Sequence, residues 1–270
     1  MNLRIGLYCL LGGLFLTTSA LGAGHFGWWW LSGIMLAASC VPMARFGPRH
    51  FLAQFAVLAL PLVVVGVVCM MSEAYLFFPA QRGNVASAVG GSTIQFLIMA
   101  ALLAALAKLL KLNESSPRAA VPRSAEMATL MVLLSGLCYV IYYLVFGGIT
   151  FQFFTKQYYP HAQEAVMPLG LWFWGIQLAR GVLMTLAVLP SIYTLRLSRW
   201  QAALAVGALL WVVGGAAPLA VPNPLMVTAQ RFIHVVEILT QNFSLGVTAV
   251  LLLRPKAGRL AAKMEPAPTA

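Results

Sequence analysis

Charged residues are scarce in this sequence, and acidic residues are the scarcest. Of its 270 residues only 9% are charged, with 17 lysines and arginines against six glutamates and no aspartate. In a soluble domain about a quarter of the residues are charged. Together with 61% hydrophobic residues and a mean hydropathy of +0.88, this excludes an ordinary soluble domain and indicates a membrane protein.

The sequence also lacks the motifs of the common catalytic and metal-binding classes. Its four cysteines, Cys9, Cys40, Cys69 and Cys138, lie in hydrophobic runs and form no C-x-x-C pair, which argues against a disulfide framework or a zinc site. A phosphate-binding glycine loop, a nucleophile elbow and an H-E-x-x-H sequence are all missing. The net charge of +11 does not indicate nucleic-acid binding, because the positive residues flank hydrophobic runs. We therefore expect no cofactor, no bound metal and no nucleic-acid partner.

The hydrophobic runs predict an all-α, polytopic integral membrane protein, folded as a single membrane domain of about eight transmembrane helices. Each span needs about 20 apolar residues. The predicted spans cover residues 5–24, 26–44, 51–71, 91–110, 127–146, 168–190, 202–221 and 225–253, and a basic cytoplasmic tail follows at 254–270. The first run could also be a cleaved signal peptide, but its length favours a retained helix.

The positive charges alternate between the predicted loops. Lysine and arginine are enriched on the cytoplasmic side of membrane proteins. The flanks predicted to be cytoplasmic contain Arg4, Arg45, Arg49, Lys108, Lys111, Arg118, Arg123, Arg196, Arg199, Arg254, Lys256, Arg259 and Lys263, whereas the outer loops contain Arg82 and Lys156. We therefore expect both termini to be cytoplasmic in a multi-pass protein of a bacterial plasma (inner) membrane.

The last predicted span carries polar side chains that a helix facing lipid would not carry. Gln230, His234, Glu237, Gln241 and Ser244 follow one another at spacings of three and four residues, which places them on one side of a helix. Such groups are costly in hydrocarbon and normally face a bundle interior or a wet cavity. The stripe therefore predicts a polar cavity inside the bundle.

Two arginines lie inside predicted spans. Arg180 of the sixth span and Glu237 of the eighth are at similar distances from the start of their spans, so we expect them to meet as an ion pair. Arg231 has no matching carboxylate, and its planar guanidinium suits an anionic head group, carboxylate or phosphate. The structural alternatives are a buried pair that only fixes helix register and an Arg231 that extends to the outer interface.

These residues predict a protein that binds or translocates a small anionic or amphipathic molecule through a polar cavity that opens outward. The aromatic segment 147–167 would act as a lid. The predicted partners are the lipid bilayer, a small anionic or lipid-like ligand and a membrane protein. The predicted ligand contacts are Arg231, His234, Gln177, Arg180, Glu237, Gln241, Gln230 and Tyr142.

Two other classes stay open, and no catalytic residue is assigned. A membrane-embedded enzyme acting on a lipid or isoprenoid would use His234 as its base and Glu237 to orient that base. A structural or assembly subunit would dock a partner through the glycine-rich seventh span, which contains Gly207, Gly214 and Gly215.

The outer loops contain one further candidate for a metal site. His161 and Glu164 repeat the H-x-x-E spacing of the last span and could lie near His25 and Glu73. Histidines and carboxylates in loops are commonly just solvated, so the sequence favours no metal there.

Overall fold

The computed structural model describes residues 2–19, 24–114, 122–159 and 167–255, without the side chains of residues 79–81. The structure is 87% helix, and the described residues form no β-strand. The helices are α1 (Asn2–Ser19), α2 (Phe26–Phe46), α3 (Phe51–Phe77), α4 (Val85–Leu109), α5 (Ala125–Tyr158), α6 (Leu171–Thr194), α7 (Arg199–Ala220) and α8 (Thr228–Leu253).

Seven of these helices, α2 to α8, are long and apolar enough to cross a membrane. Helix α1 is apolar but shorter in its described part. It packs along α2, where the indole of Trp30 donates to the carbonyl oxygen of Leu10 at 3.3 Å. The predicted all-α, multi-pass membrane class is confirmed. The count of eight spans and the orientation stay predictions, and the basic tail from residue 256 onward lies outside the described residues.

Two helices extend into segments that were predicted to be loops. Helix α3 continues to Phe77, so the predicted loop 72–90 contains its last turns, a short 3₁₀ segment at Pro79–Asn84 and the start of α4. Helix α5 continues to Tyr158, so the first half of the predicted lid is helical. Helix α3 continues because no proline or glycine lies between Met71 and Pro79. It ends there because proline disfavours helical geometry in the residue before it.

Arginines cap the helix C-termini at one end of the bundle. The last carbonyl groups of a helix have no partner within the helix, and a guanidinium satisfies them while complementing the helix dipole. The bonds run from Arg196 to Phe46 and Gly47 after α2, from Arg254 to Leu195 and Leu197 after α6, and from Arg199 to Leu251 and Arg123 to Leu252 in α8. We call this end of the molecule the basic end.

The glycines of α7 face α8 of the same chain. A Cβ atom added at Gly207 would lie 2.9 Å from the carbonyl oxygen of Phe243, and one added at Gly246 would lie 2.6 Å from the Cα atom of Gly207. Gly215 similarly faces Ile238 of α8. Small residues allow such close contact between helix backbones. The glycine-rich face that the assembly hypothesis reserves for a partner protein is therefore covered by α8.

Gly207→Ala should lower stability, because the new methyl group meets the backbone of α8 rather than a movable side chain. Overpacking of this kind costs about 1–3 kcal/mol. Thermal unfolding of the purified protein in detergent measures the effect. Gly175→Ala is the matched control, since a Cβ atom there meets no described atom within 4 Å. Equal unfolding temperatures for the two variants would contradict the close α7–α8 contact.

Candidate functional site

A cavity of about 480 Å³ lies between α3, α5, α6, α7 and α8. It is at the end of the bundle opposite the basic end, because α3 and α7 contribute their last turns whereas α6 and α8 contribute their first halves. Most of the wall is apolar, and its large apolar side chains include Met70, Met71, Phe77, Phe151, Phe173 and Trp174.

Helices α3, α5, α7 and α8 each change to π-helical geometry beside the cavity. The π segments are Val64–Cys69 in α3, Tyr143–Gly147 and Phe151–Thr155 in α5, Val212–Ala216 in α7 and Leu239–Phe243 in α8. Such segments turn side chains away from the regular helical face and are frequent at functional sites. In α7 the cause is local, because Pro218 has no N–H to donate to the carbonyl of Gly214. In α5 and α8 the segments bring Tyr143, Gln241 and Asn242 to the cavity wall.

Arg180 forms its ion pair with Glu73 of α3, so the predicted pair with Glu237 was wrong. The Nη1 atom of Arg180 donates to Glu73 Oε1 and, at 2.6 Å, to Gln177 Oε1. Arg180 is only 8% exposed, and a charge buried to this extent requires a partner. The prediction failed because it placed Glu73 in a loop, whereas α3 carries this carboxylate up to the level of Arg180.

Glu237 bonds to its own helix. Its Oε2 atom lies 2.6 Å from Nδ1 of His234, and its Oε1 atom accepts a hydrogen bond from Nε2 of Gln241 at 3.1 Å. The Nε2 atom of His234 is 2.9 Å from the hydroxyl of Tyr159. Burial raises the pKa of the Tyr159 phenol, so this hydroxyl stays protonated at neutral pH. The four side chains form one hydrogen-bonded chain that joins the end of α5 to α8.

A row of aromatic rings runs along the cavity from Arg180 to His234. Arg180 is at one end of the row, with its guanidinium carbon 5.7 Å from the ring centroid of Tyr139. Neighbouring centroids along the row are 5.8 to 6.4 Å apart, within the range of favourable ring contacts. In order, the rings are Tyr139, Tyr143, Phe173, Phe77, Tyr159 and His234.

Arg231 is not among the residues that line this cavity. Its Nη1 atom donates to the carbonyl oxygens of Leu219 at 3.0 Å and Ala220 at 3.2 Å, and Nη2 donates to the hydroxyl of Thr228 at 3.3 Å. These carbonyls are the last of α7, so Arg231 caps that helix. The guanidinium that the sequence predicted to be free for an anion is thus engaged with the backbone.

The remaining predicted contacts divide between the cavity and the helix packing around it. Gln241 lines the cavity, as do Arg180, His234 and Glu237. The other three belong to the surrounding bonds. Gln177 bonds Arg180, Gln230 lies beside the Tyr159 hydroxyl, and the Tyr142 hydroxyl lies 2.7 Å from that of Thr248.

Several residues that shape the site were not predicted from the sequence. Glu73 had a usable signal, because no breaker separates it from the apolar run of α3. Tyr143, Phe173 and Asn242 had none, since their positions depend on the π segments and on packing between distant helices. Among the described residues no group of three or more His, Cys, Asp or Glu side chains could hold a metal ion, and His161 and Glu164 lie outside them.

Comparisons of the chain with protein-family models, with curated proteins and with solved structures find no match. Fold and site together nevertheless define a class. This is a multi-pass membrane protein of helices, with a mostly apolar cavity near one end of the bundle and paired polar groups on the cavity wall.

A double-mutant cycle should distinguish the observed ion pair from the predicted one. Glu73→Gln and Arg180→Gln should each destabilise the protein, and the double variant should recover part of the loss, because each single change leaves one buried charge unpaired. Since the Glu73 side chain is 34% exposed, we expect a coupling energy of about 1–2 kcal/mol, below the 3–5 kcal/mol typical of breaking a fully buried pair. Chemical unfolding in detergent measures it.

The control cycle combines Glu237→Gln with Arg180→Gln. It should show little coupling, because no ion pair joins these two side chains. A larger coupling for Glu237 than for Glu73 would contradict the observed pairing.

Proposed function

We propose that this multi-pass membrane protein binds a small amphipathic molecule in the cavity, or carries it across the membrane. The observation that carries the proposal is the two-part cavity wall, which is apolar and aromatic over most of its area and presents hydrogen-bonding groups from α8. A volume of about 480 Å³ is in the range of sites for small ligands, which are mostly apolar with a few polar groups that fix orientation. The apolar part of the ligand would lie against Met70, Phe151 and Phe173, and its polar part near Glu237.

An anionic ligand has less support. That half of the prediction depended on an arginine free to bind it, but Arg231 bonds to carbonyl oxygens of α7 and Arg180 bonds to Glu73. A further anion would compete with a carboxylate or with a helix terminus for the same donors. We therefore propose the amphipathic alternative, with Arg180 and Arg231 in structural roles.

We further propose that eight helices cross a bacterial plasma membrane, with both termini in the cytoplasm and the cavity opening outward. The support is the distribution of charge. The arginines of the basic end lie away from the cavity, and positive residues concentrate on the cytoplasmic side of membrane proteins. Helix α1 would be the eighth span, paired with α2.

The proposed lid is the end of α5. Tyr159 lies at the cavity and its hydroxyl bonds His234, while Met167, also on the cavity wall, is 77% exposed. A ligand that enters beside Tyr159 would have to break the hydrogen bond between Tyr159 and His234. This assigns the lid to a much shorter segment than the predicted 147–167.

Two adjacent glycines provide the test of ligand binding. A methyl group at Gly147 would lie 3.0 Å from Gln241 Nε2 and 3.3 Å from Glu237 Oε1, whereas one at Gly148, which also lines the cavity, meets no described atom within 4 Å and leaves these polar groups in place. Gly147→Ala should therefore displace the polar end of the site and weaken ligand retention about tenfold, while Gly148→Ala should retain the ligand. The measurement is native mass spectrometry of protein released from gentle detergent or lipid nanodiscs, with the retained small molecules identified by their masses.

Both variants need the same unfolding temperature within a few degrees for the comparison to hold. A wild-type protein that never retains a small molecule from a total membrane extract would overturn the proposal. So would retention that is indifferent to Gly147→Ala.

The enzyme alternative is favoured by one observation, the bond from Glu237 to Nδ1 of His234, with Tyr159 at Nε2. A carboxylate that orients a histidine is the usual arrangement of a general base. If the protein is an enzyme acting on a lipid or isoprenoid, His234→Gln should still retain the substrate but lose at least about 100-fold in turnover. Mass spectrometry of a lipid extract incubated with each protein measures this, and a product formed equally by both would exclude His234 as the base.

A further inference from the structure

We propose that the head group of the ligand is a cation, a protonated or quaternary amine, held by the carboxylate of Glu237 and the aromatic rings beside it. This inference rests on the proposed function, since it assigns the chemical class of the molecule bound in the same cavity.

The net charge of the cavity wall favours a cation. Among the described residues, the acidic and basic side chains lining it are Glu73, Arg180, His234 and Glu237. Glu73 and Arg180 neutralise each other. The remaining charge is that of Glu237, alone when His234 is neutral and balanced when His234 is protonated. The total is therefore minus one or zero, which favours a cation in the first state and provides no net attraction for an anion in either.

Glu237 also has room to receive a head group. Each of its oxygens takes part in one hydrogen bond, with His234 and Gln241, and a carboxylate oxygen offers two lone-pair directions. On α5, Gly147 faces this carboxylate, and a Cβ atom added there would lie 3.3 Å from Oε1. The missing side chain keeps that oxygen accessible from the cavity.

Aromatic rings line the same cavity and reach Glu237 through His234. The rings of Phe77 and Phe78 lie 6.4 and 6.1 Å from that of Tyr159, which in turn lies 5.8 Å from His234. The faces of such rings attract cations, and aromatic cages are a common way to hold quaternary ammonium groups. In a mostly apolar cavity this attraction is stronger than in water, because the lower dielectric constant screens it less.

Glu73 is the matched alternative, and its contacts argue against it. Its carboxylate already bonds the guanidinium of Arg180, so a ligand cation beside it would meet a positive charge at close range. Glu237 has only uncharged donors when His234 is neutral. The structure therefore favours α8 over α3 as the location of the head group.

The test uses two ions of the same shape and opposite charge, together with an uncharged probe of similar size. Tetraphenylphosphonium, tetraphenylborate and the uncharged triphenylphosphine oxide are dialysed to equilibrium against the full-length protein in phosphatidylcholine nanodiscs at pH 8, with binding to empty nanodiscs subtracted. We expect the phosphonium to bind at least about tenfold more tightly than the borate. Glu237→Gln, which keeps the size and hydrogen-bonding capacity of the side chain, should remove that preference.

Glu126→Gln is the control. It deletes the same charge from an exposed position in the first turn of α5, far from the cavity, and should leave the preference unchanged. Unfolding temperatures of both variants establish that each is folded.

Each outcome separates the two proposals. Tighter phosphonium binding that is lost in Glu237→Gln and kept in Glu126→Gln supports the cation site. Equal binding of all three probes, or a preference for the borate, overturns the cation site and leaves the amphipathic cavity standing. If the probes bind no more to protein-containing than to empty nanodiscs, the cation site is overturned, whereas the cavity proposal is decided separately by the native molecules retained in mass spectrometry. A phosphonium preference that survives Glu237→Gln overturns the assignment to α8.

Discussion

A guanidinium buried inside a bundle of apolar helices requires partners for its charge, and Arg180 has a carboxylate partner in Glu73. This requirement fixes the position of α3 relative to α6, because the side chains of Glu73 and Arg180 must meet. It also decides what the cavity between them contains. With Arg180 neutralised, the carboxylate of Glu237 is left to its own helix, where His234 and Gln241 bond it. The electrostatic character of the site thus follows from a pairing made on its opposite wall.

The cavity exists where the helices depart from regular geometry. A straight α-helix presents one face along its whole length, and helices with small residues on that face pack closely, as α7 and α8 do at Gly207 and Gly246. The π segments break this regularity on several helices at similar height. Close packing persists toward the basic end, whereas toward the other end the helices enclose a space lined with aromatic and polar side chains.

The sequence was sufficient for the class of protein and for part of the site. Long apolar runs require helices in a membrane, and the i, i+3, i+7 spacing of His234, Glu237 and Gln241 requires a shared face. The partner of Arg180 could not be read in the same way, because hydropathy ended the third span before Glu73 although the helix continues. The role of Arg231 was also hidden, since it depends on which carbonyls the turn after α7 leaves unpaired. Contacts between helices far apart in sequence leave no periodic signal.

The two ends of the bundle differ in how easily they could separate. At the basic end, Arg196, Arg199 and Arg254 each bond one helix to the backbone of another. Around the cavity, the comparable side-chain bonds to the backbone of another helix run from Asn242 to Leu210 and from Arg231 to Leu219 and Ala220, and all of them join α8 to α7. A molecule that enters would therefore leave by the side it came from, and vectorial movement would require the arginine ties to break in concert. In this conformation the cavity is closed toward the basic end.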